Sequence, residues 1–206
     1  MGGGNVKRTN LKPFELQDFQ SMTSLPNDIL IDLHKLYNSF CNSIKDDGVI
    51  DYQEFLIMID KNDCTLTKHL FRAIDINKDN CINFREFLKF ICCFITGNFE
   101  EQSVYTFKVF QNDETKLIEK SRMQEFLRSC LQIDKTLSEY LDEKSIDDIV
   151  KNSFEKMNLI DDEAIGLEQY KKFLEKYPNI LNWFKLDLNK IKNHLRDKTR
   201  STTCFG

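Results

Sequence analysis

The chain has 206 residues, 41% of them hydrophobic and 30% charged, which is enough to bury a core and too apolar for a disordered segment. Its formal net charge of −4 gives no general pull towards nucleic acid or acidic lipid. The longest apolar run, FLKFICCFITG, carries Lys89 and is too short to span a bilayer.

Seventeen Phe against three Pro and seven Gly suggest helices with aromatic cores and few sharp turns. The seven cysteines are odd in number, show no Cys-x-x-Cys spacing and follow no signal peptide. They read as reduced thiols in a cytoplasmic protein. The histidines, His34, His69 and His194, are scattered, which argues against a zinc site.

In chain order, residues 1–23 are expected as a flexible N-terminal segment. Gly2 stands where N-myristoylation needs it, but Val6 occupies the place preferred by Ser or Thr. The end is either lipidated, giving weak and reversible membrane attachment, or an unmodified tail. Apolar periodicity then predicts a helix over Pro26–Phe40, with Ile29, Leu30, Leu33, Leu36 and Tyr37 on one face. A second helix follows Asp51, a third spans Leu66–Ile74, and a fourth runs from Phe84 to Thr96 with Gly97 as its stop. Val104–Phe110, Met123–Leu131, Ile146–Met157 and Tyr170–Tyr177 repeat the pattern. A last amphipathic helix begins near Pro178, with Ile180, Phe184, Leu188, Ile191 and Leu195 at helical spacing.

Each polar gap between paired helices ends in an isoleucine: Ile50, Ile82, Ile118 and Ile165. A charged or polar residue follows four positions later, at Glu54, Glu86, Arg122 and Gln169. This is the frame of an EF-hand, in which the isoleucine pairs one loop with its neighbour and the twelfth position supplies a bidentate carboxylate. The expected fold is all-α: four helix–loop–helix units in two paired lobes, with an extra C-terminal helix. The N-terminal pair spans residues 24–97, the C-terminal pair 98–177, and the final helix and tail 178–206.

The loops differ in what they offer a hard cation. DINKDNCINFRE presents Asp75, Asn77 and Asp79 at positions one, three and five, the Cys81 backbone carbonyl at seven, and Glu86 at twelve. Asn83 at nine is a further ligand through water. Position six is Asn80 rather than Gly, and Asn tolerates the required left-handed backbone best among the other residues. SIKDDGVIDYQE keeps Gly48, Ile50 and Glu54 but has Ser43 at one and Lys45 at three. As a longer loop starting at Cys41, it could use backbone carbonyls with Asp47 and Glu54 for a second site. QNDETKLIEKSR ends in Arg122, whose charge excludes a cation. NLIDDEAIGLEQ ends in Gln169, with Asp161, Asp162 and Glu163 out of register; a one-residue shift would close it with Glu168 but displace Ile165 from the ribbon.

These residues resemble the calcium-sensor EF-hand superfamily of calcineurin B, calcineurin B-like and calaxin type. IKDDGVIDYQEF is similar to the unusual first hand of the calcineurin B-like group. FRAIDINKDNCINFREFLKFICCFITGNFEEQSVYTFKVF is similar to the second hand and linker of that group and of calaxin, a ciliary sensor that binds outer-arm dynein. The long insertion at Leu131–Ile146 and EKYPNILNWF also resemble calaxin, and the resemblance covers Leu25 to Leu186. It implies a non-enzymatic regulatory subunit that binds Ca2+ and takes an amphipathic helix of a kinase, phosphatase or dynein-associated chain into a groove. The implied lining is Phe84, Phe87, Leu88, Ile91, Phe94 and Ile95, with Phe107, Phe110, Phe126 and Leu127 in the second lobe; most of these are expected simply to form the core, with only those on the outward edge left for a partner. The last helix, with Trp183 and Phe184, either covers the second groove or simply packs. The rival expectation is a constitutive structural subunit of an axonemal or cytoskeletal assembly. No nucleophile–base pair or phosphate-cradling glycine loop points to catalysis.

Overall fold

The computed structural model describes residues 11–95, 97–133, 143–156, 164–178 and 181. Within them the chain forms helices α1 (Pro13–Thr23), α2 (Asn27–Cys41), α3 (Tyr52–Ile59), α4 (Thr65–Ile74), α5 (Phe84–Ile95) and α6 (Phe99–Phe110). Strand β1 (Ile118–Glu119) precedes α7 (Lys120–Ile133) and α8 (Glu143–Lys156), and β2 (Ala164–Ile165) leads into α9 (Leu167–Lys176). This is the all-α architecture expected from the periodicity. Gly2 and the helix expected after Pro178 fall outside the described residues. Among those residues no helix is long and apolar enough to cross a membrane.

One expectation needs correcting. Residues 13–23 are not flexible chain but helix α1. Pro13 occupies its first turn, the Lys12 amide donates to Glu15 Oε2 at 2.7 Å, and Ser24 closes it in a left-handed conformation with φ 57°. No residue of α1 is fully buried. The helix is held from outside: the Phe19 ring meets Phe84 edge-on at 5.1 Å, Asp18 pairs with Arg85, and the Arg85 guanidinium lies 5.5 Å from the Phe19 ring centre.

The isoleucines pair as their offset requires. Ile50 and Ile82 form an antiparallel bridge, each amide donating to the other's carbonyl at 3.0 and 2.8 Å. Ile118 pairs with Ile165 in the β1–β2 ribbon. All four are fully buried. The Tyr37 hydroxyl lies 2.9 Å from the Ile82 carbonyl oxygen and 3.0 Å from that of Gly48, which ties α2 to the first ribbon. Burial pushes that phenol well above its ordinary pKa, so it acts only as a neutral hydrogen-bonding group. Gly97 follows α5 where a stop was expected: its amide returns to the Cys92 carbonyl at 3.0 Å, and a Cβ there would collide with the Cys93 backbone.

The two halves share packing. Helix α4 contacts α3 and α5 on one side and α6 and α7 on the other. His69 Nδ1, on α4, lies 3.1 Å from the Val109 carbonyl oxygen on α6. Buried apolar residues of both halves form one continuous cluster. In the second half, Tyr170 is fully buried and its hydroxyl reaches Thr106 Oγ1 at 3.1 Å, while Lys171 pairs with Glu100 at 2.6 Å; both contacts join α9 to α6. None of Cys41, Cys64, Cys81, Cys92 and Cys93 is in a disulfide.

Candidate metal centre

The loop Asp75–Glu86 joins α4 to α5, and its shape follows from its short polar side chains. Asn80 adopts φ 64° and Lys78 φ 61°, so the chain reverses without a glycine. Asp75 accepts from the amides of Asp79 and Asn80 at 3.2 and 2.9 Å. Asn77 Oδ1 accepts from the Asp79 amide at 3.0 Å, and Asp79 Oδ1 from the Cys81 amide at 3.0 Å. Glu86 Oε1 accepts from the amides of Ile76 and Asn77 at 2.9 and 3.2 Å. Its other oxygen takes the Asn83 amide at 3.0 Å while Asn83 Oδ1 accepts from the Glu86 amide at 3.1 Å. The closing glutamate is therefore also half of a capping box that starts α5.

Each carboxylate is thus stapled to loop amides, and no three His, Cys, Asp or Glu side chains among the described residues converge on one point. The donor set still fits a hard cation. Asp75 and Glu86 are each only 5% exposed, and neither pairs with a Lys or Arg among the described residues. Two nearly buried carboxylates in one loop without a counter-charge suit a divalent ion with oxygen ligands. Burial, followed by the Asp79 charge, pushes the Cys81 thiol up, consistent with Cys81 contributing its carbonyl rather than its sulfur.

The first loop repeats the frame. Glu54 is fully buried and its Oε1 accepts from the amides of Ile44 and Lys45 at 3.2 and 3.1 Å, as Glu86 does from Ile76 and Asn77. Glu54 Oε2 takes the Asp51 amide at 3.1 Å, and Gly48 makes the turn at φ 83°. These contacts set the loop in the twelve-residue frame running from Ser43, with Cys41 buried at the end of α2. The Lys45 ammonium pairs with Asp51, at position nine of this loop, at 3.1 Å and is held above its usual pKa chiefly by that hydrogen bond. Asp47 is exposed and accepts from the Val49 amide at 3.2 Å.

The third loop keeps the turn and replaces the ligand. Lys116, at position six, has φ 57°. Arg122 Nη1 donates to the carbonyls of Gln111 and Phe110 at 3.0 and 3.3 Å. The guanidinium thus satisfies carbonyls at the start of its own loop, a role the sequence could not show. Replacing it by Gln should leave at least one carbonyl unpaired and lower stability by about 1–3 kcal/mol. Thermal denaturation checks this, and an unchanged midpoint would mean the contacts carry no weight. In the fourth unit residues 157–163, including Asp161, Asp162 and Glu163, lie outside the described residues. Ile165 remains in the ribbon, so the shifted frame ending at Glu168 is not adopted. Gln169 Oε1 accepts from the Gly166 amide at 2.8 Å, preserving the backbone contact of a closing glutamate without its charge.

The candidate groove lining sits in the core, as expected for most of it. Phe84, Phe87, Leu88, Ile91, Phe94, Phe107, Phe110, Phe126 and Leu127 are all buried, and the Ile95 side chain falls outside the described residues. Periodicity identified an apolar face, but that face is covered here. Exposed apolar side chains lie instead at Ile44 and Ile57, beside Leu56 in a cleft between the first loop and the turn after α3.

An EF-hand family model matches residues 99–191, the half whose loops close with Arg122 and Gln169 rather than Glu. The chain is 30% identical over 159 residues to calcium-binding protein NCSA of Dictyostelium discoideum, covering 75% of this chain and 85% of that protein. It is 25% identical over 150 residues to calcineurin B-like protein 5 of Arabidopsis thaliana, covering 71% and 72%. Over 162 residues it is 26% identical to calaxin of Bos taurus, covering 72% and 74%. Other matches are more partial, spanning 64% of one relative and 9% of another.

Proposed function

Because the chain belongs to the EF-hand calcium-sensor superfamily, we propose that it is a calcium-responsive regulatory subunit or adaptor that docks on an amphipathic helix of a partner protein. The supporting observation is the second loop, where Asp75 and Glu86 are nearly buried without a paired cation among the described residues, inside an intact twelve-residue frame. Asp75, Asn77, Asp79, the Cys81 carbonyl and Glu86 would hold Ca2+, with Asn83 through a water. The bound ion would supply the counter-charge that Asp75 and Glu86 do not find in a Lys or Arg among the described residues. Glu54 and Asp47 offer a weaker second position across the ribbon.

Glu86 links the loop to the rest of the molecule. It is bonded to loop amides through one oxygen and to the first turn of α5 through the other. A change in its contacts is therefore felt by α5, which carries Phe84, Phe87 and Ile91 of the covered face. Docking at that face requires the N-terminal pair to open. Titration calorimetry of the full chain is the test. Heat at micromolar calcium supports the sensor reading, and none at that concentration removes it.

The second half favours a second reading there. Arg122 and Gln169 occupy the closing positions of the third and fourth loops, so that half is suited to constitutive docking, as in a structural subunit of an axonemal or cytoskeletal assembly. Partner binding unchanged by a calcium chelator would select this reading for the whole chain.

A further inference from the structure

A cleft of about 300 Å³ lies where the halves meet, between the C-terminal part of α4, the second loop, the end of α6 and the third loop. Four fixed cations line it, Arg72, Lys78, Lys108 and Arg122, against two acids, Asp75 and Asp113. In a chain of net charge −4 this is a local reversal of sign. Arg72, Lys78 and Lys108 are exposed, and none makes an ion pair with an acid among the described residues. By contrast, Lys35, Lys45, Lys68, Arg85, Arg128 and Lys171 are each paired.

We infer that this cleft is a docking site for an acidic segment of a protein partner, and that calcium in the second loop strengthens it. The cations come from separate elements, α4, the second loop, α6 and α7. That distribution suits several carboxylates spaced along a peptide better than one compact anion. The apolar walls at Ala73 and Val109 suit the methylene stems of such side chains.

The coupling follows from Asp75, which lines the cleft and is the first ligand position of the loop. An ion held there compensates its charge, leaving the four cations opposed only by Asp113. Anion affinity then rises, and by linkage the acidic segment raises calcium affinity by the same factor. This coupling rests on the calcium-sensor reading above; the docking site itself does not.

The experiment is fluorescence anisotropy of a fluorescein-labelled hexaglutamate peptide on the full chain at low ionic strength, in calcium and in chelator. The wild type should bind in chelator. The double variant Arg72→Gln, Lys108→Gln should bind roughly fivefold more weakly, while Lys89→Gln, Lys172→Gln, which removes two exposed cations elsewhere, should match the wild type. Circular dichroism confirms that both variants fold. Equal binding by the cleft variant, or equal loss in the control, overturns the site. Displacement of the peptide by an equimolar amount of inorganic phosphate overturns it in favour of a small anion. Calcium should tighten the peptide about threefold, and Glu86→Gln should abolish that gain while keeping the chelator value. Binding that needs the cleft but ignores calcium keeps the site and overturns its coupling, together with the sensor reading if calorimetry is also silent.

Discussion

Glu86→Gln is expected to weaken calcium binding by roughly a hundredfold or more, because it removes both the closing charge and the two-oxygen grip. The fold should survive. A glutamine oxygen can still accept the Asn83 amide, as Gln169 does from Gly166 at 2.8 Å in the fourth unit. The same substitution therefore stands in the wild-type chain as evidence that the cap tolerates it. Calorimetry reads the affinity, and circular dichroism with thermal melting reads the fold. Retained binding with an intact fold would move the ion to the first loop, where Glu54→Gln would then be the decisive variant. Loss of both binding and fold would mean that Glu86 holds the loop together rather than the ion.

Phe87→Ala should be the most damaging single change to stability, at about 3–5 kcal/mol. Phe87 is fully buried, with its ring 5.4 Å from Tyr37 and 6.1 Å from Phe84. It thus packs at the point where α2, α5 and the edge reached by α1 meet. Tyr37 in turn holds the ribbon carbonyls, so the cavity would loosen the support of the first two loops as well as the core. Against a typical total of about 5–15 kcal/mol, a loss of this size removes a large part of the margin. Urea denaturation followed by circular dichroism measures it. A loss below about 1 kcal/mol would mean that the neighbours collapse into the space, and the aromatic cluster would then be much more plastic than its burial implies.

Much of the frame was legible because its signals are local. Isoleucines four residues ahead of each closing position fix the register, and Ile50, Ile82, Ile118 and Ile165 pair as that register demands. Asn80 was readable as a turn-maker from its side chain alone, and its φ of 64° follows. Helix α1 was not read, although Pro13 and Glu15 are start signals. Its stability comes from Phe84 and Arg85, far away in sequence, and its own apolar face is only half covered. Arg122 was readable as a charge that repels calcium. That its guanidinium reaches back to the carbonyls of Phe110, at the end of α6, and Gln111, at the start of the loop, depends on the path of the chain. Which of the candidate groove residues stay at the surface was out of reach for a related reason: periodicity shows which face of a helix is apolar, but not whether water or another helix lies against it. The cationic cleft was out of reach because Arg72 and Lys108 become neighbours only when α4 meets α6.

That meeting of α4 with α6 bears on how the chain comes apart. The helix that enters the second loop also packs against the second half, so melting either half strips apolar surface from the other. The two halves then unfold in a single cooperative transition, and a ligand that stabilises one raises the melting temperature of both.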